Sequence, residues 1–314
     1  ISIDALRIEQ IKTNESNIMA VAASMAVVGW WTGFKIGGLV SLFISDYFEK
    51  IGFHNYWQIT FIFLFFILML LNLLLLTIEE VSKKVLKKSE LSFLKKSKFF
   101  IFGERVNSIL VWTFETIITP ISDFFKKNGL SIGIGLLAFL FLFKIGEAFL
   151  GRMSLIFYKE IGFTKSDIGI FSKGLGWITT VLFTLIGGFL TVKIGLVRSI
   201  FIAGIFMAVT NLLFSLLFWT GKNYLIFSVA VILDDLAAAF ATVAFVAFIS
   251  VLVNRQYTAT QYALLASIGT LGRTTLASSS GSLVDYLNGD WGLFFIITCA
   301  VSYTHLRAHE TVRN

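Results

Sequence analysis

The chain has 314 residues, 56% of them hydrophobic and 14% charged, with a net charge of +7 and a mean hydropathy of +0.83. A soluble domain carries roughly 25% charged residues, so these values exclude a water-soluble globule and call for a surface covered largely by lipid. The basic excess does not point to nucleic acid, because ten Lys/Arg are concentrated in one segment between apolar stretches.

The chain opens at Ile1 inside a mixed polar and apolar segment, which leads to the expectation that further sequence belongs upstream. A helix that crosses a bilayer needs about 20 mostly apolar residues. Seven stretches meet this, at approximately 18–43, 56–78, 130–158, 168–192, 199–219, 223–253 and 262–287. An eighth starts at Trp291 and is cut short by the segment 303–314 (YTHLRAHETVRN), which reads as a non-native tail and is set aside. No alternating strand pattern is present, so the stretches are predicted to be helices.

Between the second and third spans lies the main interruption, 79–128. Its first part, EEVSKKVLKKSELSFLKKSK, reads as a charged linker. Its second part is apolar but broken by Glu104, Arg105, Glu115 and Asp123, and contains Pro120, the single proline. The expectation is an interfacial helix lying on the membrane, with a ninth span over 99–122 as the alternative. Lys and Arg then divide unevenly between alternate loops. Arg7, Lys12, the ten in 79–128, Lys193, Arg198 and Arg255 give fifteen on one side; Lys50, Lys159, Lys165 and Lys222 give four on the other. The richer side is expected to be cytoplasmic.

Charges deep in a span cost roughly 2.5–3.5 kcal/mol on insertion scales and are usually functional or paired. By depth, the candidates are Lys35, Lys144, Glu147, Asp234, Asp235 and Arg273, with Lys173 and Arg152 nearer the span ends. Lys144 and Glu147 are three residues apart and share a helix face, so they can pair. They read either as a structural pair or as the charged wall of a substrate or proton pathway. Asp234 and Asp235 point about 100° apart on a helix. Asp234 is favoured for the pathway and Asp235 for packing against a neighbour. Arg273 reads as the counter-charge of Asp234 or as an anchor for an anionic substrate. Gly29, Gly33 and Gly37 form a small-residue stripe expected to serve close helix packing. The cluster Ala277–Ser282 either packs similarly or lines a wet cavity with hydroxyls.

Cys299 is the single cysteine, and His54, His305 and His309 are scattered, so no disulfide, metal site or cofactor is expected. No phosphate-binding loop is present, and no nucleophile constellation supports a membrane enzyme.

Three segments carry a family resemblance: KIGEAF (Lys144–Phe149), GFTKSDIGIFSKGLG (Gly162–Gly176) and above all YTATQYALLASIGTLGR (Tyr257–Arg273). Together with IDALRIEQI at the start, ETIITPISDFF and GGFLTVKIGLVRS, they resemble the AmpG-type muropeptide permeases. These form a branch of the major facilitator superfamily shared with acetyl-coenzyme A transporters. The resemblance runs from about residue 2 to residue 300. It implies an all-α membrane bundle covering roughly helices five to twelve of twelve. Residues 1–78 would be the remnant of the first bundle, 79–128 the cytoplasmic central loop, and 129–302 a six-helix second bundle. It also implies proton-driven import of anhydromuropeptides, which are sugar-peptides, across the bacterial inner membrane. Asp4, Lys144, Glu147, Lys173, Asp234 and Arg273 match charged family positions. One departure stands out: Trp31 occupies a position where the family tends to have arginine, with Lys35 one turn later. A transporter of another solute, such as a coenzyme A thioester or peptide, is the alternative within the class. A membrane enzyme or signalling protein is the alternative outside it.

Overall fold

A computed structural model of the chain describes residues 2–11, 15–78 and 113–310. The described residues are helical, in the order α1 (Ser2–Gln10), α2 (Ser16–Lys50), α3 (Tyr56–Leu75), α4 (Thr119–Asn128), α5 (Leu130–Leu142), α6 (Ile145–Ile161), α7 (Gly176–Ile194), α8 (Leu196–Thr220), α9 (Tyr224–Leu252), α10 (Thr258–Ser278), α11 (Ser280–Tyr286) and α12 (Trp291–Glu310). A π-helical turn, Phe114–Ile118, leads into α4, and another, Gly169–Leu175, leads into α7. The charged linker and most of the stretch proposed as interfacial or as a ninth span lie outside the described residues.

Among the described residues, six segments are long and apolar enough to cross a bilayer: Asn17–Phe34, Tyr56–Leu75, Leu130–Ile161, Ile170–Ile194, Leu196–Thr220 and Tyr224–Leu252. Trp291–Val301 is a shorter apolar helix. The expected span at 262–287 differs in form. Its residues divide between α10 and α11, which meet at Ser279, and Thr, Ser, Gln and Gly make α10 too polar to qualify by composition. The hydroxyls of Ser278, Ser279 and Ser280 each turn back to the carbonyl three residues earlier, at 2.6–2.7 Å, where the helix breaks. The segment 303–310, set aside in the sequence reading, continues α12 as helix to Glu310.

Local chemistry explains the breaks. Gly162 ends α6 in the left-handed region at φ 100°, where a side chain would be strained. Asn223 caps α9 by accepting from the backbone N–H groups of Leu225 and Ile226 at 3.0 and 3.1 Å. Pro120 sits in the first turn of α4, directly after the π-helical turn.

Helix α9 is central, packed on α7, α8 and α2, while α10 lies on α5 and α6. In lipid, helices associate mainly through close packing, and two glycines here sit at close approaches between helices. A Cβ on Gly272 would strike the carbonyl oxygen of Phe141, and one on Gly187 would lie 2.9 Å from Cα of Phe240. The stripe Gly29, Gly33 and Gly37 behaves otherwise: nothing lies within 4 Å of a Cβ placed at any of the three. The close packing expected of it is not found among the described residues, where the apolar side chains that α2 buries lie in its first half. Met19, Ala20, Ala23, Ser24 and Val27 are buried, whereas Trp30, Phe34, Phe43 and Tyr47 are exposed.

Aromatic side chains gather into two cores. One contains Ile8, Met19, Phe139, Phe143, Phe240, Phe245 and Tyr262. The other contains Phe157, Tyr158, Phe163, Phe214, Phe227, Trp291, Phe294 and Phe295. Each is held by edge-on and offset ring contacts, such as Phe157 to Phe295 at 4.8 Å and Phe143 to Phe245 at 5.4 Å. On α9 the sequence passes from the second core at Val231 to the first at Ala237, with Asp234 and Asp235 between them. On α5 and α6 it passes from the first core at Phe143 to the second at Leu150, with Lys144 and Glu147 between.

Candidate functional site

A polar layer therefore separates two apolar ones. Lys144 stands at the break between α5 and α6, with non-helical backbone angles (φ −98°, ψ 18°), so a span expected to run unbroken over 130–158 is discontinuous there. Its Nζ lies 2.9 Å from Oε2 of Glu147 and donates to Oγ1 of Thr242 on α9 at 2.7 Å. Glu147 occupies the first turn of α6, where the helix dipole favours a negative charge. Arg273 of α10 reaches the other carboxylate oxygen of Glu147 at 3.7 Å. The side chains of Lys144 and Glu147 are 12% and 15% exposed, whereas Arg273 is 46% exposed. Lys144 and Glu147 together thus link α6 to α9 and α10 in one polar group with a shielded side and an open one.

The two aspartates complete the layer. Their side chains diverge as a 100° step requires. Asp234 accepts from Thr210 on α8 at 3.4 Å, and Asp235 accepts from Thr179 on α7 at 2.6 Å. Asp235 therefore points toward α7 and Asp234 toward α8. Helices α7 and α9 both pack on α2. Both aspartates are held by threonines on neighbouring helices. Arg273 pairs with Glu147, not with Asp234 as the counter-charge reading had it.

The remaining candidates lie apart or beyond description. Asp4 is on α1 and pairs with Arg7 at 3.5 Å. Both face Tyr262, which precedes Arg273 on α10 by about three turns, roughly 16 Å along the axis. Lys35 lies in α2 and Lys173 in the π-helical turn 169–175, a distortion often found at functional sites; their side chains lie outside the described residues. Three site residues were not singled out from sequence: Thr179, Thr210 and Thr242. A signal for Thr242 existed, because it follows Asp235 by seven residues and so shares its face. Thr179 and Thr210 carry no such signal, since their partners are on another helix. Among the described residues no group of His, Cys, Asp and Glu is arranged to hold a metal ion.

At the opposite ends of the same helices, outside the spans, Asp167 is held between turns. It accepts from the backbone N–H of Thr164 at 2.9 Å and from the Tyr224 hydroxyl at 3.3 Å, and pairs with Lys222 at 3.5 Å. The backbone hydrogen bond from Thr164 is the chief reason its carboxyl lies below the ordinary carboxylate range. Lys222 is raised above its ordinary range, chiefly by its hydrogen bond with Tyr224.

Comparison with known proteins supplies the family. Residues 17–275 match the model of the Major Facilitator Superfamily. AmpG 4 of Rickettsia felis is 31% identical over 300 residues, covering 95% of this chain and 65% of that protein. AmpG 3 of Rickettsia prowazekii is 25% identical over 312 residues, covering 99% of this chain and 68% of that protein. The anhydromuropeptide permease of Escherichia coli K12 is 30% identical over 189 residues, which is 60% of this chain and 38% of that protein. The chain thus spans about 65% of the length of AmpG 4. A helical, multi-pass architecture, a charged layer at a helix break and a family match over most of its length agree: the chain belongs to the Major Facilitator Superfamily, among relatives of the AmpG type.

Proposed function

We propose that the chain forms part of a proton-coupled secondary transporter that imports anhydromuropeptides across the bacterial inner membrane. The observation that carries this reading is the charged layer, Lys144, Glu147, Arg273, Asp234 and Asp235, set between two apolar cores at a discontinuous helix. Transporter sites are commonly built at such breaks near the midplane, where polar backbone and side chains line a cavity. A sugar-peptide is polar and partly anionic, so it needs cations such as Lys144 and Arg273 and hydroxyls such as Thr242. A carboxylate in a low-dielectric layer is the group type that can bind and release a proton as its surroundings change. The names of the AmpG relatives and of the anhydromuropeptide permease support the substrate class. Asp4 and Lys173 belong to the proposed pathway by matching position, and Lys35 by its depth in α2, one turn after Trp31. The partners are then the sugar-peptide, protons and the lipid bilayer.

The test is uptake of labelled anhydromuropeptide into vesicles holding a protein that carries this chain at the full length of its relatives. An imposed inward proton gradient is expected to accelerate uptake. Asp234→Asn and Asp235→Asn are expected to abolish proton-driven accumulation while leaving insertion intact. Uptake indifferent to the gradient overturns the coupling. Failure to take up the muropeptide, with uptake of a coenzyme A thioester or simple peptide instead, overturns the substrate.

A further inference from the structure

Helix α10 presents a polar face beside the charged layer. Ser267, Thr270, Thr274 and Ser278 are exposed and follow one another at steps of three, four and four residues, so they share one side of the helix over roughly 16 Å. Arg273 borders this side, and Leu271 is the one apolar residue among those exposed from 267 to 279. Helix α3 is the opposite case. From Phe61 to Leu71 every exposed residue is Phe, Ile, Leu or Met, the composition that suits contact with lipid. Of the cluster Ala277–Ser282, Ser278 belongs to the polar face, while Ala277 and Ser280 are buried.

The rotation of α10 is fixed from behind. On the side away from the hydroxyls, a Cβ on Gly272 would strike the carbonyl oxygen of Phe141, and one on Gly269 would come within 2.7 Å of the Phe245 ring. Arg273, 46% exposed, reaches Glu147 at 3.7 Å, so the hydroxyl side adjoins the open edge of the charged layer.

The hydrogen-bonding capacity of the face is one-sided. The hydroxyl hydrogens of Thr270, Thr274 and Ser278 are given to the backbone carbonyls of Ala266, Thr270 and Thr275 at 3.0, 2.9 and 2.6 Å. Each oxygen therefore offers lone pairs outward and no donor. Arg273 supplies donors and a positive charge. A solute that fits carries O–H and N–H groups along its length and an anionic group at the level of Arg273. A sugar-peptide meets this description through its sugar hydroxyls, amide N–H groups and carboxylate. A coenzyme A thioester fits poorly, because its phosphates would present acceptors to acceptors.

We propose that Thr270, Thr274 and Ser278 of α10 are specificity-determining residues, which accept hydrogen bonds from the O–H and N–H groups of the solute while Arg273 holds its carboxylate. This rests on the charged layer as the transport pathway proposed above. It assigns the choice of a sugar-peptide over a phosphate-rich solute to uncharged residues that take no part in proton movement.

The experiment uses a protein that carries this chain at the full length of its relatives, in membrane vesicles. Thr270→Val, Thr274→Val and Ser278→Ala remove the hydroxyls with little change in volume. Each is expected to raise KM for labelled anhydromuropeptide about fivefold, and the triple variant about a hundredfold. The maximal rate should change far less, because these contacts bind the solute alike in its ground and transition states. Thr274→Ser, which keeps the hydroxyl, should bring KM back toward the parental value. In a Cys299→Ser background, Thr274→Cys should react with a membrane-impermeant maleimide. Anhydromuropeptide at about ten times its KM should slow that reaction about tenfold, and acetyl-coenzyme A should not. This labelling needs no transport, so it decides the matter if the valine variants fail to insert. Unlabelled Thr274→Cys, or parental KM in all three variants, overturns the hydroxyl face and leaves the transport reading standing where the parent takes up the muropeptide. A KM that rises as much with Thr274→Ser as with Thr274→Val assigns the effect to packing and also overturns it. A parent that takes up acetyl-coenzyme A and not the muropeptide overturns the transport reading, and the face with it.

Discussion

Replacing Lys144 with Met keeps the length of the side chain and removes its charge. Glu147 is then left 15% exposed with Arg273, at 3.7 Å, as its remaining ionic partner. Breaking a buried ion pair by removing one member costs about 3–5 kcal/mol. Arg273 stays in place but is 46% exposed and partly screened, so the lower end, about 3 kcal/mol, is expected, or on the order of a hundredfold in the folding equilibrium. The gain from no longer holding an ammonium in lipid does not offset this, because the inserted, unfolded chain gains it as well. Glu147→Gln should cost a similar amount, since it leaves Lys144 with Thr242 alone at 2.7 Å. The double variant should cost far less than the two singles together, giving a coupling of about 2 kcal/mol between these contacting groups. The measurement is denaturant unfolding of the four proteins in detergent micelles, followed by tryptophan fluorescence. Additive costs, or singles within about 0.5 kcal/mol of the parent, would refute the view that the two charges are held as a shielded pair.

Gly272→Ala should destabilise by about 1–3 kcal/mol, because its Cβ meets the backbone oxygen of Phe141, which no rotamer change can move; the unfolding midpoint reads this. Gly135→Ala, on the opposing helix but with nothing within 4 Å, should instead stabilise by about 0.5–1 kcal/mol in the same assay. Asp167 has a lowered folded pKa, so its contribution is fully present above the unfolded value of about 4 and is lost as pH falls through the folded one. The melting temperature should therefore drop on acidification below about pH 4, and Asp167→Asn should flatten that drop. Lys222 is raised, with the opposite sign: its contribution holds below the unfolded value of about 10.4 and is lost as pH climbs through the folded one. Lys222→Met should remove that alkaline loss.

Composition and hydropathy by themselves determined that this is a helical membrane protein, because a chain with 14% charged residues has no means of solvating a globular surface. The span limits near 158, 192 and 223 were legible for a similar reason: the structure ends or caps helices there at Gly162, Gly195 and Asn223, through a residue's own backbone or its near neighbours. The pairing of Lys144 with Glu147 was legible too, since three residues along a helix fix a distance. Partners on other helices were not. The closure of Glu147 by Arg273, the threonines that hold Asp234 and Asp235, and the meeting of Asp123 with Gln261 depend on how separate helices are rotated and seated. The glycines make the same point from the other side. Gly29, Gly33 and Gly37 have the spacing of a packing stripe and face open space, while Gly272, which carries no such pattern, touches the backbone of Phe141. Spacing along one helix states which residues share a face; only the packed structure decides what that face meets.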